Sequence, residues 1–292
     1  MELSSINELS IGFIGAGKVG FSLGKLFADR GLQVTGFYSR HQDSAREASS
    51  FTGTDLFLDL ETIVNKSNTL FLTVPDGEIK KVFQSIRDLG LDGKYICHTS
   101  GSMSSAEAFE GIESVGAYGY SIHPLFPVSS KYDSYLGLGD AFFCIESCSD
   151  SYNPNPEIFR NGFESLGLKT FSIKPSDKTT YHAACVFASN LVCGVMAEVV
   201  DLFQSIGFDE KNALAAVKPL VESNIKSILE RGPVEALTGP LERNDVITIN
   251  KHVEALSGED LTLYKELSKK TLELARARHP EYDHSEIEKL LI

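Results

Sequence analysis

One predicted helix carries four chemically capable side chains on a single face. Lys178, His182, Cys185 and Ser189 follow one another at the spacing of successive helical turns. A lysine and a histidine one turn apart can donate a proton to a carbonyl oxygen, and a cation also stabilises the alkoxide that forms when the carbonyl is reduced. We therefore predict that Lys178 and His182 are catalytic. The alternative is that Lys178 is a solvated first-turn lysine and His182 a hydrogen-bonded packing residue.

Two other polar segments are candidates for holding a substrate. His123 ends a predicted strand within SIHPL, and Arg243 lies in the polar turn LTGPLERND, where its guanidinium could bind a carboxylate through two parallel hydrogen bonds. The alternatives are a strand-terminating turn and a helix-capping loop. The seven histidines show neither HxH nor HExxH spacing, so no metal site is expected. The predicted substrate contacts are Ser100, His123, Asn190, Thr238, Arg243 and Asp245.

A glycine-rich segment predicts a dinucleotide cofactor. IGFIGAGKVG places Gly15, Gly17 and Gly20 in GxGxxG spacing between a predicted strand and a predicted helix. Gly15 permits a tight turn, Gly17 leaves room for a pyrophosphate, and Gly20 allows the helix to approach the sheet. The pyrophosphate would lie at the helix N-terminus, where free N–H groups and the helix dipole favour negative charge.

The end of the second strand predicts which dinucleotide binds. An acid at this position would hold the ribose hydroxyls of NAD, but the chain reads GFYSRH, with no acid before Asp43. Ser39 and Arg40 offer a hydroxyl and a guanidinium to a 2′-phosphate, so NADP(H) is predicted. The predicted cofactor contacts are Gly15, Ala16, Gly17, Lys18, Val19, Gly20, Ser39, Arg40, Val74, Pro75 and Ser100.

An alternation of strands and helices must position these residues. Up to Pro175, apolar strand-like runs alternate with helix-like segments, which predicts a largely parallel sheet covered on both faces. After Pro175 the sequence reads as successive helices. We therefore predict an α/β fold with a Rossmann-type doubly wound domain over residues 1–174 and an all-α domain over residues 175–292. The predicted strands are residues 9–15, 33–38, 68–74, 95–99, 115–122, 141–145 and 169–173, and the helices of the first domain are 18–30, 79–89 and 157–166.

Composition narrows the range of partners and compartments. The 292 residues carry a net charge of −13, so neither nucleic acid nor an anionic membrane is an expected partner. No stretch is expected to reach the roughly 18 apolar residues of a membrane-spanning helix, and residues 183–200 are expected to form a buried helix. The N-terminus lacks the features of a secretory signal, and five cysteines without a CxxC pair suggest buried, reduced thiols. A cytoplasmic protein is expected.

Several segments together resemble one family over nearly the whole chain. GFIGAGKVG, YSR, TVPD, HTSG, SIHPL, KTTYHAACVFASN and ALTGPLERND are similar to segments of the Rossmann-like/DUF2520 proteins. That family is related to pyrroline-5-carboxylate reductase and to the helical domain of the 6-phosphogluconate dehydrogenase type. Some members act as an alternative ketopantoate reductase that forms pantoate for coenzyme A with NADPH. The resemblance therefore implies an NADPH-dependent 2-keto acid reductase with a 6-phosphogluconate dehydrogenase-like second domain.

The resemblance also bears on individual residues. Related reductases place a catalytic lysine near the start of the first helix of the helical domain and an asparagine one turn later; Lys178 matches the lysine, and His182 stands at the asparagine position. A carboxylate that contacts the substrate hydroxyl in ketopantoate reductases has only Glu242 and Asp245 as candidates. Because related reductases associate through this domain, a homodimer is expected.

Two other functions are compatible with the same residues. SIHPL is similar to the HPM segment of prephenate and arogenate dehydrogenases, so a dehydrogenase of that type is one alternative. The other is a non-catalytic NADP(H)-sensing module, in which Lys178 and His182 only pack or contact a partner.

Overall fold

The chain folds into two compact units. The computed structural model describes residues 5–292; the first unit ends at Ala188, and the second spans Ser189–Ile292. The division lies after the expected limit between residues 174 and 175, because the helix that begins at Lys178 packs against the sheet of the first unit. The Lys178 ammonium bonds to Ser121, and the Tyr181 hydroxyl bonds to His123. The functional domain limits themselves stay a prediction.

An eight-stranded sheet in the order β3-β2-β1-β4-β5-β6-β7-β8 forms the frame of the first unit. Neighbouring strands pair in parallel, except that β6 and β7 are antiparallel. The doubly wound α/β fold class is therefore confirmed, with an antiparallel step near one edge. The strands are β1 Ser10–Ile14, β2 Gln33–Tyr38, β3 Asp55–Leu56, β4 Thr69–Leu72, β5 Tyr95–His98, β6 Tyr118–Pro124, β7 Phe142–Ser147 and β8 Lys169–Ser172.

Helices cover both faces of this sheet. Alternate residues of the central strands point into separate apolar cores: Phe13 and Phe71 contribute to one core, and Ile14 and Leu72 to the other. Strands buried on both faces read as continuous apolar runs, which is why the sequence revealed them. The helices are α1 Lys18–Asp29, α2 Gln42–Thr52, α3 Leu60–Lys66, α4 Asp76–Ile86, α5 Ser105–Ala108, α6 Ser134–Leu138, α7 Ile158–Ser165 and α8 Lys178–Ala188.

The second unit is helical, as predicted. Its core is small and is formed where α12, α13 and α14 meet, with Ile249, Leu272, Ala275, Ile287 and Leu291 buried there. The helices are α9 Asn190–Ser205, α10 Glu210–Arg231, α11 Pro233–Ala236, α12 Val246–Ala255, α13 Gly258–Arg278 and α14 Ser285–Leu291.

The most apolar helical segment differs from expectation. By length and composition, residues 175–205 could cross a membrane. The most apolar 18-residue part of this segment is not buried by any of the described residues. The expectations of a buried helix and of no segment of spanning length are therefore wrong. Leu191, Val192 and Val195 of α9 are exposed, and so is Cys193, which was expected to be buried. Polar residues within the segment suggested a core helix, but the part of the chain that the structure describes does not bury its most apolar part.

Candidate cofactor cleft and active site

The glycine-rich loop joins β1 to α1 in a tightly packed turn. Gly15 has a φ of 115°, and a Cβ atom on it would lie 2.6 Å from the backbone oxygen of Thr73. A Cβ on Gly20 would lie 2.3 Å from the Thr73 hydroxyl, which itself donates to the Gly15 carbonyl at 2.7 Å. Helix α1 begins at Lys18 after Gly17, and no described side chain caps it. Its first N–H groups are thus open to an anion.

A cleft of about 550 Å³ lies beside this loop. We refer to it as the cofactor cleft. Four predicted cofactor residues are not among those that line it: Lys18 and Val19 begin α1, Gly20 packs against Thr73, and Ser100 lies in a separate cluster of polar side chains. The predicted residues that do line it are Gly15, Ala16, Gly17, Ser39, Arg40, Val74 and Pro75.

Charged residues on α4 form part of the cleft wall and were missed from the sequence. Glu78 lies between two cations: its carboxylate is 3.1 Å from Arg40 Nη1 and 2.8 Å from Lys81 Nζ. The hydrogen bond from Lys81 is the main cause that lowers the pKa of Glu78, so this carboxylate is ionised. The helical i,i+3 spacing of Glu78 and Lys81 was visible in the sequence, but their position opposite Arg40 depends on the fold.

A second group of polar side chains gathers at the carboxyl ends of β4, β5 and β6. The Asp76 carboxylate accepts hydrogen bonds from the hydroxyls of Ser100 at 2.6 Å and Ser102 at 3.0 Å. The Ser121 hydroxyl donates to the Ser100 carbonyl at 3.3 Å. Parallel strands end at the same edge of a sheet, which explains why residues from three strands meet here. We call Ser100, Ser121, His123, Lys178 and His182 the buried polar cluster.

Lys178 lies at the centre of this cluster. It is only 1% exposed, and its ammonium donates to the Ser121 hydroxyl at 2.6 Å. It forms no ion pair with any residue of the described chain. Burial lowers the pKa of Lys178. A solvated first-turn lysine is therefore excluded.

Two histidines converge beside Gly101. A Cβ atom on Gly101 would lie 2.9 Å from Nε2 of His123 and 2.8 Å from Nδ1 of His182. The buried Nδ1 of His182 has no hydrogen-bond partner within the described chain. Burial lowers the pKa of His123 to about 4, so its imidazole is neutral near pH 7.

Tyr181 is a site residue that the sequence reasoning missed. Its hydroxyl lies 2.6 Å from His123 Nδ1, and the Lys178 ammonium lies 5.4 Å from the centre of its ring. Tyr181 follows Lys178 by three residues and therefore shares its helix face. That spacing was the available signal, but a tyrosine among apolar residues resembles an ordinary core position.

The remaining candidates lie in the second unit. Asp245 caps α12 by accepting from the Thr248 N–H at 3.0 Å, and Glu242 accepts from His279 Nε2 at 2.9 Å, so both acids have structural partners. The predicted substrate contacts here are Asn190, the first residue of α9, and Thr238, Arg243 and Asp245 of the loop between α11 and α12. Arg243 is exposed and has no ion-pair partner among residues 5–292.

Comparison with family models covers most of the chain. A Rossmann-like domain matches residues 3–124, and a domain of unknown function, DUF2520, matches residues 141–271. No curated protein matches the sequence significantly.

Similar solved structures extend over both units. A protein from Thermotoga maritima is 26% identical with a TM-score of 0.69, over 92% of this chain and 99% of that one. A Bacteroides fragilis protein provisionally named an NADP oxidoreductase is 22% identical with a TM-score of 0.65, over 95% and 100% of the two chains. The reductive aminase of Aspergillus terreus, solved with NADPH and ethyl-5-oxohexanoate, is 14% identical with a TM-score of 0.63, over 96% and 99%.

The Bacteroides fragilis and Aspergillus terreus proteins are only 22% and 14% identical to this chain, so their similarity establishes a common fold. The two family matches, by contrast, follow one another along the chain, and the DUF2520 match begins within the first unit, just before β7. The chain therefore carries a Rossmann-like domain at residues 3–124, followed by a DUF2520 domain at residues 141–271.

Proposed function

We propose that the protein is an NADPH-dependent reductase of a small 2-keto acid, with ketopantoate, which yields pantoate for coenzyme A, as the best single substrate. The observation that carries this proposal is the buried Lys178, whose ammonium lacks an ion-pair partner in the described chain and lies near the neutral imidazole of His123. Glu146 and Asp76 are close enough to act on this charge, but neither forms an ion pair with it. A buried cation without a direct ion-pair partner is costly, and an anion that binds beside it offsets that cost. A keto acid supplies both a carboxylate and a carbonyl oxygen that becomes negative during reduction.

The residues of the cofactor cleft fit NADP(H). The uncapped start of α1 and the close turn at Gly15 suit a pyrophosphate, and Ser39, Arg40 and Lys81 surround the position proposed for the 2′-phosphate. Val74 and Pro75 supply an apolar wall. Bound NADPH would supply the hydride. The solved structures of similar fold include an enzyme with NADPH bound, which supports this choice.

Lys178 is proposed to polarise the substrate carbonyl and to deliver the proton. A burial-lowered pKa makes the ammonium a stronger acid than an ordinary lysine, which favours proton release to a forming alkoxide. His182 would assist, and either His123 or Arg243 would bind the carboxylate. Ser100, Asn190, Thr238 and Asp245 complete the proposed substrate contacts.

A substrate panel tests the proposal directly. We expect NADPH oxidation, followed by absorbance at about 340 nm, with ketopantoate and with smaller 2-keto acids, and much slower oxidation of NADH. Reduction of NADP by prephenate or arogenate would instead identify a prephenate- or arogenate-type dehydrogenase. That activity is the second candidate, because SIHPL is similar to the HPM segment of those enzymes. Tight NADPH binding without turnover of any of these compounds would indicate a sensing module.

We also propose that the protein is a cytoplasmic homodimer that binds neither nucleic acid nor membrane. The exposed apolar side chains of α9, including Leu191, Val192 and Val195, support a second copy as the missing cover. Sedimentation equilibrium should report a dimer, and Val195→Glu should shift it toward the monomer. A monomeric wild type, or recovery of the protein with added anionic vesicles, would contradict this assignment.

A further inference from the structure

The hydrogen bond between Tyr181 and His123 has no role in the function proposed so far. The tyrosine hydroxyl and His123 Nδ1 are 2.6 Å apart, and the two rings meet edge to face with centres 5.8 Å apart. The Phe171 ring also packs against Tyr181, with ring centres 5.9 Å apart. Tyr181 is therefore held by contacts with two rings, which restrict the movement of its hydroxyl.

The direction of this hydrogen bond follows from the chemistry of the partners. Burial raises the pKa of Tyr181, so the phenol keeps its proton. The thiols near this hydroxyl, Cys144 and Cys185, are weak acceptors, whereas a neutral imidazole nitrogen is a good one. Tyr181 therefore donates to His123 Nδ1. A neutral imidazole carries a single proton, which must then be on Nε2.

That Nε2–H points to a small space in the buried polar cluster. Nε2 lies beside Gly101, whose missing side chain leaves the room that His123 and His182 share. Lys178, at 1% exposure, is almost sealed within the chain, whereas His123 is only partly buried. The His123 side chain is therefore more accessible to a small molecule than Lys178 is.

We propose that Tyr181 is a positioning residue that holds His123 as its Nε2–H tautomer, and that this N–H donates to the carboxylate of the 2-keto acid beside the Lys178 ammonium. This inference rests on the proposed function and decides between the two carboxylate-binding candidates named there. A neutral donor suits this place, because a second cation next to Lys178 would be repelled by it. The single positive charge then remains available for the carbonyl oxygen.

The tautomer can be read without any turnover. In protein labelled with ¹⁵N in the histidine rings, two-bond ¹H–¹⁵N spectra near neutral pH should show His123 with a bare Nδ1 and a protonated Nε2. The spectrum of His123→Gln, which lacks this signal, assigns it. Tyr181→Phe should shift or average the His123 nitrogen signals. A protonated Nδ1 in the wild type, or His123 signals unaffected by Tyr181→Phe, overturns the inference.

Steady-state kinetics test the contribution to substrate binding. Tyr181→Phe should raise the KM for ketopantoate about tenfold, the value of one lost hydrogen bond to a charged group, while kcat changes less than about threefold. Tyr264→Phe is the matched control, because Tyr264 makes the same type of bond to Nδ1 of His252 at 2.9 Å in the second unit. It should leave both constants unchanged. An unchanged KM in Tyr181→Phe, or a loss confined to kcat, contradicts the assigned role.

Replacing the histidine by amides distinguishes its two nitrogens. The amide N–H of His123→Gln can reach the position of Nε2, whereas that of His123→Asn can reach only the position of Nδ1. KM should therefore stay within about threefold of wild type for Gln and rise about tenfold for Asn. Equal KM values in two variants that both bind NADPH normally would overturn the inference. If the wild type reduces no keto acid, the proposed function and the carboxylate role both fail, whereas the spectra still decide the tautomer.

Discussion

The cofactor cleft and the buried polar cluster both form at the carboxyl ends of parallel strands, yet they use charge in opposite ways. In the cleft, the Arg40 side chain is 71% exposed and is already paired with Glu78. In the cluster, Lys178 is buried, and the Ser121 hydroxyl is the one hydrogen-bond partner of its ammonium among residues 5–292. Water and salt screen the exposed Arg40–Glu78 pair, whereas the buried ammonium of Lys178 is screened much less. Single substitutions should therefore have small effects in the cleft and large effects in the cluster.

The largest effect is expected from Lys178→Ala. Loss of the group that polarises and protonates the carbonyl should lower kcat about 10³-fold, within the range for general acid catalysis. The NADPH dissociation constant should change less than about twofold, since Lys178 does not line the cleft. Lys174→Ala, which removes an exposed lysine four residues earlier in the chain, should behave as wild type. Near-normal turnover by Lys178→Ala would contradict the expectation that substitutions in the buried polar cluster have larger effects than those in the cofactor cleft.

Protonation of His98, which is buried beside the cluster, is expected to change the free energy of unfolding. In free-energy terms, this effect is similar in size to the expected effect of Lys178→Ala on kcat. Burial lowers its pKa from 6.5 to about 3 in the folded chain. Below pH 6.5 the unfolded chain therefore binds a proton that the folded chain does not, so stability falls as the pH falls. Between pH 6.5 and about 4 this should cost about 3 kcal/mol of unfolding free energy.

His98→Asn tests this pH dependence, since its side-chain oxygen can still accept the hydrogen bond that Ser100 N–H donates to His98 Nδ1 at 3.2 Å. Urea unfolding at both pH values should give a flatter pH dependence for the variant than for the wild type. Parallel curves for the two proteins would mean that His98 does not titrate as its burial implies.

A smaller effect is expected from Arg40→Gln in the cleft. Loss of a guanidinium that faces the 2′-phosphate should weaken NADPH binding about tenfold, with NADH binding changed by less than about twofold. Fluorescence titration with each cofactor measures both constants. Arg46→Gln, on the exposed surface of α2 and outside the cleft lining, is the control. Equal weakening of both cofactors would show that Arg40 does not read the phosphate.

The smallest effect is expected from Glu78→Gln, and its sign is informative. Removing a carboxylate that competes with the phosphate for Arg40 and Lys81 should tighten NADPH binding about threefold at low salt, and the gain should shrink at about 0.5 M salt. Glu107→Gln, which breaks an exposed ion pair with Lys80, should have no effect. Weaker NADPH binding would instead mean that Glu78 holds Arg40 in its binding position.

The sequence alone was sufficient for the frame of the first unit. Strands buried on both faces are continuous apolar runs, and the GxGxxG spacing lies within one short segment between a strand and a helix, so short-range patterns revealed both. The contacts of Gly15 and Gly20 with Thr73, in contrast, join residues far apart in the chain. The helical fold of the second unit was also predicted from its composition and from the glycine and proline residues that end successive helices. The elements β3, α2, α3, α5 and α6 escaped prediction. For β3, α5 and α6 the reason is their length, because a few residues carry too little periodicity to stand out.

Only the tertiary structure decided which distant side chains meet and how much water reaches them. Glu78 opposes Arg40 through the packing of α4, and Tyr181 reaches His123 because α8 lies on the sheet. Burial determined that Lys178 is enclosed and that α9 is not, although both appear as ordinary helical positions in the sequence. Local propensity depends on neighbours along the chain, whereas pKa values, unpaired charge and uncovered apolar surface depend on neighbours in space.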